Sequence, residues 1–161
     1  MRWSVLAQQT LFSPRRYPSG LQSTDSWDGY PGARTRLLQS IAQHGPRNTV
    51  LLGGDIHQNY VCKVLADADR RIGPVLASEF CGTSISSRSN TTQAQVDAVA
   101  RRNPHVLLAR CTERGYGLAD ITPQRWNVAL RVVDDALRAD SGVSTLARFV
   151  VEDRQAGPVR A

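Results

Sequence analysis

The sequence predicts a mixed α/β domain of the α+β kind, and three observations predict it. Its 161 residues suit one domain, long enough to bury a core without disulfides or structural metals. Short apolar runs bounded by Gly, Pro, Asn and Asp recur through the chain, the pattern of sheet strands. One other stretch places its apolar residues at helical spacing, and a second opens on a helix-capping pattern.

In order, residues 3–9 read as a strand that starts almost at the first residue, so the beginning looks cut. A polar loop with Pro and Gly follows over residues 13–32, long enough to line a site. Leu37, Leu38, Ile41 and Ala42 recur at helical spacing within 33–44, and Gly45-Pro46 stops that helix. Residues 48–52 form a nearly continuous apolar strand of the kind buried on both faces. Strands are predicted at 60–66 and 75–81, around a charged turn at 67–73.

Residues 82–90 are a hydroxyl-rich loop, and Asn90 with Gln93 three residues on reads as a capping box for a helix over 91–102. Asn103-Pro104 ends it. Strands follow at 105–110, 116–121, 125–133 and 145–152. There is no internal repeat and no linker, so residues 1–154 form one unit and 155–161 a tail.

At 41% hydrophobic and 21% charged, the composition is that of a globular domain, and no apolar run is long enough to span a membrane. The net charge of +6 is spread diffusely, with Lys63 the single lysine among 20 basic residues. No basic stripe interleaves with aromatics, so nucleic acid is not expected as a partner. Cys62, Cys81 and Cys111 have no CxxC spacing, and the two that sit inside apolar runs read as buried thiols. No export signal is read at the N-terminus.

The chemistry concentrates in LLGGDIHQNY, residues 51–60, where a buried strand runs into Gly53 and Gly54 and then presents Asp55 and His57. Carboxylate and imidazole suit hard to borderline cations, and strand ends are where such groups are often displayed. Taken alone, such a stretch is more often a turn with a hydrogen-bonded histidine than a metal site. His44 reads as a surface residue at a helix end, and His105 as the start of a strand. Glu79 reads as a buried hydrogen-bonded carboxylate and Asp28 as a turn former. Ser84, Ser86 and Ser87 lack a G-x-S-x-G elbow and read as turn or cap residues.

Longer segments narrow the choice. In order they are WSVLAQQTLF (3–12), DSWDGYPGARTRLL (25–38), NTVLLGGDIH (48–57) and SEFCGTSISS (78–87), then Asn103-Pro104, RGYG (114–117) and FVVEDRQAG (149–157). Together they resemble the C-terminal half of the PhoD-like alkaline phosphatase (alkaline phosphatase D) family, a branch of the calcineurin-like metallophosphoesterases.

The resemblance implies part of a four-layer αββα sandwich with mixed sheets and metals held by loops at strand ends. It also implies that Asp55 and His57, in a G-D-x-H motif, are metal ligands. Asp28, Tyr30, Gln8 and Gln9 become candidate pocket residues. The implied cofactors are divalent and trivalent metal ions, calcium and iron, and the implied substrate a phosphate monoester or diester attacked by a metal-activated hydroxide or oxide. Full-length relatives are expected to be secreted or periplasmic.

The motifs of the family's N-terminal catalytic half do not occur here. Two ligands fall short of a calcium or iron site. Two expectations follow: the C-terminal portion of a metal-dependent phosphatase, or a non-catalytic remnant or subunit that needs another chain to supply the missing half.

Overall fold

The computed structural model describes residues 2–45 and 48–161. The long loop contains one 3-10 turn, Trp27–Gly29, and leads into α1, Pro31–His44. A proline at the start of α1 suits a position whose N–H has no helical acceptor. That moves the helix start two residues ahead of the predicted one. His44 is exposed in its last turn and Gly45 caps it, whereas Pro46 lies outside the described residues.

Strands β1 (Ser4–Ala7), β2 (Thr49–Gly53), β3 (Asn59–Asp67), β4 (Ile72–Cys81) and β5 (Val106–Arg110) form one sheet, ordered β1-β2-β4-β3-β5. The first three in that order run parallel, and β3 is antiparallel to both of its neighbours. Strands β6 (Arg114–Ile121), β7 (Arg125–Val133), β8 (Val143–Glu152) and β9 (Val159–Arg160) form a second sheet, antiparallel throughout. The fold is therefore mixed α/β with two sheets, and only the first of them is mixed.

Alternation along each strand decides what lies between the sheets. Val50, Val61 and Phe80 point from the first sheet toward Trp126, Leu130 and Phe149 of the second. Edge-on ring contacts seal this interface: Phe80 with Phe149 at 6.4 Å, and Trp3 with Trp126 at 5.9 Å between centroids. On the other face of the first sheet, Leu38 of α1 packs with Phe12, Leu51, Val64 and Ala77. The second helix, α2 (Gln93–Arg102), places Val96 against Tyr60, Cys62, Cys81 and Cys111. The outward face of the second sheet leaves Tyr116 and Leu118 exposed. Of the four layers implied by the resemblance, the described residues build three: helices, mixed sheet, antiparallel sheet.

Two expectations need correction. The capping box of α2 belongs to Thr92 and Gln95: Gln95 Oε1 accepts from Thr92 N–H (2.9 Å), and Thr92 Oγ1 accepts from Gln95 N–H (3.4 Å). Gln93 is diverted to β5, donating to the Ala109 carbonyl (3.1 Å) and accepting from Cys111 N–H (3.0 Å). The predicted tail is also part of the fold. Its Gly157 and Pro158 are buried, and Val159 and Arg160 pair with Val150 and Phe149 of β8.

Candidate functional site

Gly53 closes β2 because nothing larger fits. A Cβ there would lie 2.3 Å from the Thr10 carbonyl oxygen and 2.8 Å from Gln8 Nε2. Gly54 N–H donates to the Gln9 carbonyl (3.1 Å), and Gly82 N–H to the Gly53 carbonyl (2.9 Å), which ties the ends of β1, β2 and β4 together. The chain then turns through two left-handed residues, Asp55 at φ 66° and His57 at φ 55°. Such backbone is unfavourable for residues with a Cβ and is often kept where a side chain must be aimed.

Asp55 is exposed and His57 half-buried. His57 Nδ1 stands 3.1 Å from the Arg88 carbonyl oxygen. A carbonyl only accepts, so Nδ1 carries the hydrogen, which leaves Nε2 as the ring nitrogen that could ligate. Gln58 Nε2 donates to Ser89 Oγ at 3.4 Å, so two successive side chains of the turn hold the 88–89 segment. Asn59 Oδ1 accepts from Thr83 N–H (3.1 Å), while its Nδ2 is buried without a partner. These supporting residues, Gln58, Asn59, Arg88 and Ser89, escaped sequence reasoning. Only the contiguity of Gln58 and Asn59 with the motif could have flagged any of them.

The four candidate pocket residues separate. Gln8 stays at the turn: its side chain lies over Gly53, accepts from Trp27 Nε1 (3.1 Å) and brackets Thr10. Gln9 contributes its carbonyl to Gly54. Asp28 instead sits in the interior, bonded to Arg34 and to Arg15 N–H. Tyr30 is exposed ahead of α1, with no side-chain capping bond.

The long loop owes its shape to buried polar side chains. Residues 12–16 have no regular structure, yet Leu11 to Arg15 are buried, so their backbone groups need partners. Glu79 accepts from Phe12 N–H (2.6 Å) and Ser13 N–H (2.9 Å). His105 Nε2 reaches the Pro14 carbonyl (3.0 Å), and Asp28 accepts from Arg15 N–H (3.1 Å). Asn103 accepts from Arg16 N–H (3.0 Å) and donates to the Arg16 carbonyl (3.1 Å).

Burial governs the titration of these groups. It pushes the Glu79 carboxyl above its ordinary range despite the donors that oppose it, and lowers His105. It also keeps the thiols of Cys62 and Cys81 protonated, and Cys81 Sγ donates to the Gly54 carbonyl at 3.4 Å. Ser84 Oγ donates to the Ser87 carbonyl, a turn contact as expected.

The sequence model of the PhoD-like phosphatases matches residues 1–130. This chain belongs to the PhoD-like phosphatase family. It is 34% identical over 160 residues to alkaline phosphatase D of Bacillus subtilis (strain 168), a match over 96% of this chain and 27% of that protein. A solved structure of PhoD superposes with a TM-score of 0.89 at 32% identity, over 99% of this PhoD-like chain and 31% of the other. The chain thus spans about a quarter to a third of the length of these relatives.

A metal is implied by the family resemblance, and the donors can be tested against it. In kind they fit: an exposed carboxylate and an imidazole held through Nδ1 stand at one strand end. In number they fall short. Among the described residues no three His, Cys, Asp or Glu side chains gather as a metal site would require. No reaction step is therefore assigned to this chain through a metal.

Proposed function

We propose that this PhoD-like chain serves phosphate-ester hydrolysis by supplying Asp55 and His57 as two ligands of a metal centre. The remaining donors would come from a further segment or another chain. Iron and calcium are the metals the resemblance favours. Bound there, they would neutralise the phosphate and supply the activated oxygen nucleophile. The observation that carries the reading is the bond from His57 Nδ1 to the Arg88 carbonyl, which fixes the tautomer a metal ligand needs.

The chain's own part is positional. Gly53 and Gly54 let the turn pass close to Thr10 and Gln9, and the left-handed backbone holds the two donors at the strand end. Whether the centre acts on monoesters or diesters depends on the residues that complete it.

The test is hydrolysis of an aryl phosphate and a bis-aryl phosphate with added calcium and iron, beside His57→Ala and with bound metal measured on both. The expected result is weak metal binding that His57→Ala abolishes, with turnover appearing only when the complementary part of a relative is added. Turnover by the chain alone, lost in His57→Ala, would show that its own copies complete the site. Equal metal binding by His57→Ala would end the ligand assignment. The shortfall of donors favours a second reading, a non-catalytic subunit. Complementation that restores structure without turnover would support it.

A further inference from the structure

Arg15 is 8% exposed and takes part in no ion pair among the described residues. Its Nε is buried with no hydrogen-bond partner. A buried cation without an anion is unfavourable unless something compensates it. Part of the compensation is aromatic, since the guanidinium carbon lies 5.5 Å from the Tyr17 ring centroid and 5.8 Å from that of Tyr60. The nearby buried carboxylate, Glu79, is committed to the backbone of Phe12 and Ser13.

Arg15 borders a cavity of 360 Å³, with Tyr17, Tyr60, Gln58, Gln95 and Val99 among its walls. That volume lies in the range of small-molecule pockets, roughly 300–1,000 Å³. Its lining is mainly apolar, with amide and phenol groups at a few points, and α2 brings its first turn to the wall. The N-terminal end of a helix favours negative charge, which adds to the cation. Burial raises the Tyr60 hydroxyl to about 12, so at neutral pH it stays a hydrogen-bond donor.

The position of Arg15 is held from both sides. Asp28 accepts its N–H, His105 holds the carbonyl of Pro14, and Asn103 holds both backbone groups of Arg16. These bonds anchor the backbone, and the Tyr17 and Tyr60 rings restrict the guanidinium itself, so less ordering remains when it meets an anion.

We propose that this cavity binds a small organic anion, a carboxylate or phosphate carried on an apolar or aromatic body, with Arg15 pairing the charge. Nothing in the argument draws on Asp55, His57 or a metal. The cavity nevertheless shares Gln58 with the turn that carries them, so an occupant would sit beside the proposed metal centre.

The test titrates the full chain, in the presence of a chelator, with phenyl phosphate, benzoate and inorganic phosphate, followed by amide and tyrosine NMR shifts. Saturable shifts at Tyr17, Tyr60 and the first turn of α2 are expected with the two aryl anions, and weaker ones with inorganic phosphate. The preferred aryl anion identifies the head group. Arg15→Met should weaken binding about tenfold or more, as loss of a charge-assisted pair does. Arg15→Lys should fall between. Ala98→Trp, which fills the cavity from α2 and leaves Arg15 intact, should also weaken binding, and it decides the matter if Arg15→Met does not fold. No saturable shift up to about 10 mM ligand would overturn the proposal, since that concentration covers even millimolar affinities. So would unchanged affinity in a folded Arg15→Met or Ala98→Trp.

Discussion

Arg34 Nη1 donates to Asp28 Oδ1 over 2.9 Å, with 1% and 4% of their side chains exposed. The same guanidinium reaches Asp69 and the Phe12 carbonyl, so α1, the long loop and the β3–β4 turn meet on one cation. Removing one partner of a buried pair strands the other charge. Arg34→Met should lower unfolding free energy by about 3–5 kcal/mol. Asp28→Asn should lose less, about 1–3 kcal/mol, because the amide still accepts one bond. Urea unfolding gives both values, and limited proteolysis should show new cleavage within residues 13–30 of Arg34→Met.

His105 makes stability depend on pH. Burial lowers its folded-state pKa below the ordinary 6.5, so between that lower value and 6.5 the unfolded chain binds more protons than the folded one. Its contribution is fully present above pH 6.5 and is lost as pH falls toward the folded value. His105→Gln keeps a donor for the Pro14 carbonyl without titrating. The variant should show a flatter slope of stability against pH below 6.5. Glu79, raised by burial, contributes the opposite slope from about 4.5 upward, but it is common to both proteins and cancels in the comparison.

Gly53 and Gly82 offer a controlled pair. Alanine at Gly53 would drive a methyl into the Thr10 carbonyl, whereas at Gly82 the nearest atom is 4.0 Å away. Gly53→Ala should lose about 2 kcal/mol or more by overpacking. Gly82→Ala should stay within about 0.5 kcal/mol of the parent, as substitutions away from such features do. Equal thermal shifts would mean that the close approach at the end of β2 does not constrain the turn.

Asp55 occupies left-handed backbone that glycine adopts freely. If the turn is strained to aim a ligand, Asp55→Gly should leave stability unchanged or raise it by up to about 1 kcal/mol. Metal affinity should fall in the same protein. Thermal unfolding and a metal titration read the two effects separately. A clear loss of stability with metal binding intact would make Asp55 a turn residue only.

Much of this chain was legible from local pattern. The helical spacing of Leu37, Leu38 and Ile41 marked α1, the apolar run before Gly53 marked β2, and ordered motifs carried the family resemblance. The Glu79 reading held because a carboxylate inside an apolar strand must find donors. These features are decided by neighbours in sequence, through side-chain period, backbone preference and desolvation.

Distant partners decided the rest. Asp28 looked like a turn former until Arg34 and Arg15 reached it, and Arg15 was one arginine among many until Tyr17 and Tyr60 enclosed it. Gln93 left the cap for β5, and residues 159–160 became a strand because the edge of β8 was there to pair with. The sequence by itself determined the two helices and the longer strands, and it pointed to two candidate metal donors. Only the tertiary structure decided which buried polar groups satisfy one another, because those partners lie up to 106 residues apart and no local period encodes them.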